Sequence, residues 1–143
     1  MTARLARLAA LALCLAPLSP APLWAEGQSQ PATDDPLSAQ AFERFVEGRT
    51  LDAWNDTGRY GVETFLPDRR TLWEEGGTCL DGRWFPQDGL ICFDYDGVED
   101  IYCWSYHDRG GWLMSWQDGN RANPPVRLLP STGPMACETL SGV

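Results

Sequence analysis

The chain has 143 residues, 43% hydrophobic, 11% aromatic and 22% charged, which is room for one compact domain and excludes a multidomain enzyme. All 11 basic residues are Arg, no Lys occurs, and 20 Asp and Glu bring the net charge to −9. Arg69 and Arg70 are the only adjacent basic pair, so there is no basic stripe to neutralise a run of phosphates, and nucleic acid is not an expected partner.

At the amino-terminal end, Arg4 and Arg7 precede an apolar run from Leu8 to Leu18, and a Pro-containing stretch follows to Leu23, Trp24 and Ala25. This is the pattern of a secretory signal peptide, residues 1 to 25, cut after Ala25. The run is well short of the roughly 20 residues that span a bilayer, so no stable membrane anchor is expected. Cys14 brings a lipoprotein signal to mind, but Leu13 stands where that signal needs a small residue. Removal of the leader leaves nine Arg against 20 acidic residues, a net charge of −11. Such a balance favours solubility and could also attract a cationic partner. The expected compartment is the periplasm.

Residues 26 to 36 (EGQSQPATDDP) have no large apolar side chain and read as a disordered linker. From Leu37 the pattern is helical. Ser38 can cap the helix, Leu37 and Phe42 occupy the two positions of a hydrophobic staple, and Gly48 can end it. Ala41, Phe42, Phe45 and Val46 share one face, with Glu43, Arg44 and Glu47 outside. A helix of about ten residues is unstable alone and must dock on something.

Seven strands follow, rich in aromatic and β-branched residues: Thr50 to Trp54, Tyr60 to Leu66, Thr71 to Glu75, Arg83 to Phe85, Leu90 to Tyr95, Ile101 to His107 and Trp112 to Gln117. Turn residues separate nearly all of them, including Gly76 with Gly77, Asp88 with Gly89 and Asp96 with Gly97. The spacing leaves no room for crossover helices, so residues 37 to 143 are expected to form a single mainly-β domain. The expected form is an antiparallel β-meander of six to eight strands with one short N-terminal helix, which can curl into a half-open barrel, and whether it closes fully is left open by the sequence. Beyond Gln117 the chain turns Pro-rich, with at most one short edge strand at Val126 to Leu129.

Cys79, Cys92, Cys103 and Cys137 are the four cysteines after the leader, and in an oxidising compartment an even number favours two disulfides over a metal site. Turns of two residues at Asp96 and Gly97, two at Gly97 and Val98, or four from Gly97 to Asp100 all give the same strand faces. Ile91, Phe93 and Tyr95 lie beside Tyr102, Trp104 and Tyr106, while Cys92 and Asp94 share the other face with Cys103, Ser105 and His107. A turn centred on Gly97 and Val98 sets Cys92 directly opposite Cys103, which favours that bridge and, by remainder, Cys79 with Cys137.

After Ala25 the chain has six Trp, four Tyr and five Phe, many for so small a domain, and most should be core. Trp112, Met114 and Trp116 alternate along one strand. If the helix covers only one face of the sheet, surplus aromatics line the other, and Trp104, Tyr106, Trp112 and Trp116 are the candidate ligand-binding residues.

Chemistry-bearing motifs are few. His107 is the sole His and is expected to be an exposed residue at a strand end, which gives little support to a catalytic triad or a metal site. Glu74 and Glu75 are strand neighbours on opposite faces, unsuited to acid and base work on one bond. Asp94 to Asp100 carries four carboxylates around a hairpin turn but lacks the ligand order of a calcium loop. No cofactor, metal or catalytic residue is expected.

Phe45, Gly48, Thr50, then Tyr60, Gly61, Glu63, then Trp73, Cys79, Gly82, Arg83, Trp84, and Ile91, Cys92, Phe93, Tyr95, Cys103, Trp104 form a string that resembles a family of small exported bacterial proteins with a Cys/Trp-rich β-meander. The likeness covers residues 42 to 107, implies a small exported β domain, and carries over no catalytic residue. The expected function is a non-catalytic periplasmic binding module using exposed aromatics on a disulfide-braced sheet. The alternative is an acidic inhibitor or partner of a cationic envelope protein or hydrolase. The partner is accordingly either a small ligand or a basic envelope protein.

Overall fold

The computed structural model describes residues 34–139, so the leader and most of the linker lie outside the described residues. Helix α1 (Ala39–Val46) begins as expected, with the Ser38 hydroxyl accepting the Ala41 amide at 3.2 Å. It is followed by β1 (Thr50–Trp54), β2 (Arg59–Phe65), β3 (Arg70–Glu75), β4 (Thr78–Gln87), β5 (Leu90–Tyr95), β6 (Tyr102–Asp108), β7 (Leu113–Gln117) and β8 (Val126–Pro130). Each strand pairs antiparallel with the next, and β8 pairs with β1, so the meander closes into an eight-stranded barrel.

Closure settles what the sequence left open, whether the meander curls fully into a barrel. Val126–Pro130 is the reason: it bonds to β7 on one side and to β1 on the other, with Leu51 opposite Pro130 and Ala53 opposite Leu128, and is no edge strand. β4 is also far longer than Arg83 to Phe85. Polar residues and Gly82 hide its first half from a pattern reading, and Pro86 stands within its paired length opposite Ile91. Between β3 and β4 the two-residue turn is Gly76 and Gly77, both at positive φ, and Asp88 with Gly89 repeats this between β4 and β5.

Alternation places Leu51, Phe65, Trp84, Phe93, Tyr106 and Leu128 inside the barrel, where they form the core. Two interior positions are Gly because a large ring lies over them. A Cβ on Gly61 would fall 2.3 Å from the Trp73 ring, and one on Gly82 would fall 2.6 Å from the Tyr95 ring. Helix α1 covers no sheet face. It stops one end of the barrel with Phe42, whose ring is 4.5 Å from Tyr106, 5.1 Å from Trp84 and 5.7 Å from Phe65.

Both expected disulfides are present, Cys79–Cys137 and Cys92–Cys103. Cys92 stands directly opposite Cys103, their Cα atoms 4.0 Å apart, in the register set by an axis between Gly97 and Val98. The connection itself is the longer segment 96–101 rather than a two-residue turn. Cys79–Cys137 holds the C-terminal tail against the outer wall, where Met135 and Cys137 bury Val62 and Leu72. Disulfides persist in oxidising compartments, so the pair places the folded chain outside the reducing cytoplasm. Among the described residues no helix is long and apolar enough to cross a membrane.

Candidate functional site

Eight strands give a barrel at the size where the interior is either filled by side chains or holds one small ligand, and this barrel divides between the two. Toward the helix the interior is solid. Toward the opposite end a cavity of about 390 Å³ opens between the strands, with walls that include Tyr60, Trp73, Tyr95, Trp104 and Tyr106. Its mouth lies at the end bearing the β1–β2, β3–β4, β5–β6 and β7–β8 connections. Tyr102, which lines the cavity, and the adjacent Ile101 are the exposed large hydrophobic residues there, 36% and 52% exposed.

Glu63 lies within this aromatic chamber and is only 3% exposed. It points inward because Leu51 and Trp73, its partners on β1 and β3, do so and because Phe65, two residues on, is core. One carboxylate oxygen, Oε1, accepts hydrogen bonds from the Thr71 hydroxyl at 2.7 Å and the Tyr95 hydroxyl at 2.8 Å. Burial raises the acid to about 7, overcoming the two hydrogen bonds, which favour the charged form. Burial likewise raises Tyr60 to about 12, helped by Glu75 and Glu63, and lifts Tyr95 and Tyr106 well above 10. These hydroxyls therefore stay protonated.

The four candidate aromatics fall into two groups. Trp104 and Tyr106 face inward and line the cavity. Trp116 faces outward from β7 and is only 8% exposed, covered by the Arg121 guanidinium 4.8 Å above its ring. Trp112 lies in the β6–β7 connection, half-buried, its carbonyl accepting the Arg109 amide.

His107 departs from expectation. It is 2% exposed, on the outer wall, with its ring edge-on to Trp116 at 5.1 Å. Strand alternation sets its face correctly but cannot foresee what covers that face. Arg121 reaches over it, with Nη2 3.4 Å from His107 Nδ1. Arg121 is held in turn by Asp34, which also pairs with Arg109 at 3.1 Å. Asp34 belongs to the segment read as a linker, so the last residues of that segment are docked. Burial first, and then the Arg121 charge, lower the His107 pKa.

Glu63, Tyr60, Trp73 and Tyr95 have no place among the candidates from sequence. The available signal is the alternation Gly61, Glu63, Phe65, which puts an acid on the same face as a core Phe.

Glu63 also makes stability depend on pH. Its neutral form suits the barrel, so its stabilising contribution is complete below about pH 4.5, is lost as pH rises to about 7, and changes no further above. The span corresponds to about 3 kcal/mol. His107 acts in the opposite direction, losing stability as pH falls, so the difference between wild type and Glu63→Gln isolates the acid. Urea midpoints should coincide below pH 4.5, and the variant should be the more stable above pH 7. A constant difference across that range would mean that Glu63 keeps an ordinary carboxyl group.

No protein-family model, curated protein or solved structure matches this chain.

Proposed function

We propose that this protein is an exported, non-catalytic binding module that holds one small, largely apolar molecule inside its barrel, and that its compartment is the periplasm. The supporting observation is the cavity: about 390 Å³ of aromatic-walled space, within the usual range for small-molecule sites and open at one end of an otherwise packed barrel. The expected surface of exposed aromatics gives way in this reading to an internal one, with Trp104 and Tyr106 kept and Trp112 and Trp116 set aside. Ile101 and Tyr102 would form an apolar lip at the entrance.

A neutral fluorescent probe, N-phenyl-1-naphthylamine, tests this. It should bind saturably at one site per chain with quenching of Trp emission. Val126→Trp should abolish binding, because Val126 lines the cavity near the mouth and a larger ring there takes up the space. Non-saturable uptake, or binding indifferent to Val126→Trp, would remove the proposal.

A further inference from the structure

The cavity wall is chemically one-sided. It carries two carboxylates, Glu63 and Glu75, and no Arg or His, although nine Arg occur among the described residues. Four of them are engaged elsewhere: Arg69 with Glu43, Arg109 and Arg121 with Asp34, and Arg49 over Phe45. Inside the barrel, then, negative charge has no positive side chain to meet it.

Glu63 is built for a visitor on one side only. Thr71 and Tyr95 both donate to Oε1, whereas Oε2 has no hydrogen-bond partner among the described residues. Oε2 is not a buried orphan atom but is open to the cavity, where an arriving donor can reach it. Around the acid stand ring faces. Trp73 is directly across from it on β3, Tyr60 lies tilted against Trp73 at 5.8 Å, and Tyr95 holds its other oxygen. An acid among aromatic rings is the arrangement that recognises an organic ammonium, which donates a charge-assisted hydrogen bond to the carboxylate and is attracted by the quadrupoles of the rings. An anion would meet two like charges in a space poorly screened by water, and a wholly apolar body would leave Oε2 unmet.

We infer that the ligand class of this barrel is a small organic amine, bound as the ammonium with its nitrogen at Glu63 Oε2 and its apolar body along Trp73 and Trp104. This rests on the proposed binding of a small molecule in the cavity. The available volume suits a single aryl-alkyl body and excludes polymeric polyamines held along their length.

The test is a calorimetric titration with three molecules of one shape: 2-phenylethylamine, 2-phenylethanol and 3-phenylpropanoate. It is run at about pH 8, where the amine is protonated and Glu63 is ionised. The amine should bind at least about tenfold more tightly than the alcohol, and the carboxylate more weakly than either. Glu63→Gln should remove the amine's advantage, bringing amine and alcohol to within about threefold of each other. Equal binding of amine and alcohol, or an amine preference that survives Glu63→Gln, overturns the inference. A preference that survives the substitution would reflect the acidic surface alone. In both cases wild-type protein would still take up the neutral naphthylamine probe, so the cavity reading would stand. Failure of all three molecules and of the probe would overturn both.

Discussion

Phe42→Ala should cost about 4 kcal/mol of stability, near the upper end for loss of a buried ring. The residue is fully buried, and the three aromatic rings around it belong to three different strands, β2, β4 and β6. Strands held in a closed hydrogen-bonded ring cannot draw inward to fill the space, so most of the cavity should persist. Phe45→Ala on the same helix is the control. Phe45 is half-buried against the guanidinium of Arg49 at 4.7 Å, and its loss should cost only about 1 to 2 kcal/mol. Urea unfolding of the two variants separates these values. Equal effects would mean that the helix merely lies against the barrel instead of stopping its end.

Removal of the tail bridge should have an effect of the same size. Cys79–Cys137 closes a loop with a sequence separation of 58, and chain-entropy reasoning assigns it about 4 kcal/mol. For Cys92–Cys103, separation 11, the same reasoning gives about 3 kcal/mol. The difference should exceed this entropic gap, because a freed tail also uncovers Val62 and Leu72, both buried under Met135 and Cys137. The paired serine variants, Cys79→Ser with Cys137→Ser and Cys92→Ser with Cys103→Ser, can be compared by urea unfolding without reductant. A larger loss from the hairpin pair would show that the tail contributes little to the barrel.

The hairpin of β5 and β6 is legible in the sequence down to its register, because every even-length turn there gives the same faces, and a disulfide tolerates only a narrow range of strand separations. Helix α1 is legible for a similar reason: its cap and its apolar face are local. Barrel closure is not. It depends on Leu51 meeting Pro130 and on the stagger accumulated over every strand between them, and no segment of sequence carries that information. The misreadings of β4 and β8 have one cause. Pro and Gly count against a strand in local propensity, yet Gly82 sits beneath the Tyr95 ring, and Pro86 and Pro130 lie in paired positions near the ends of their strands.

The candidate site is half legible. Trp104 and Tyr106 share the inward face with Phe93, as alternation requires, whereas Trp116 falls on the outer face and is covered by Arg121. Glu63 shows why the rest is hidden. An acid in an amphipathic strand ordinarily marks the solvent side, and only the knowledge that the strand belongs to a closed barrel turns its alternation into an inward carboxyl. His107 is the mirror case, an outward residue buried under Trp116 and Arg121, the latter held in place by Asp34 from a segment whose composition suggests no structure.

A ring of strands in which the last is zipped to the first presents no unpaired rim for a neighbouring molecule to extend. That protection rests on β8. Without Val126–Pro130 in place, β1 and β7 both have bare backbone donors and acceptors along one side, a template for cross-molecule strand pairing. A variant truncated ahead of Val126 would inherit that condition permanently and should form fibrils or amorphous deposits where the intact chain stays dispersed.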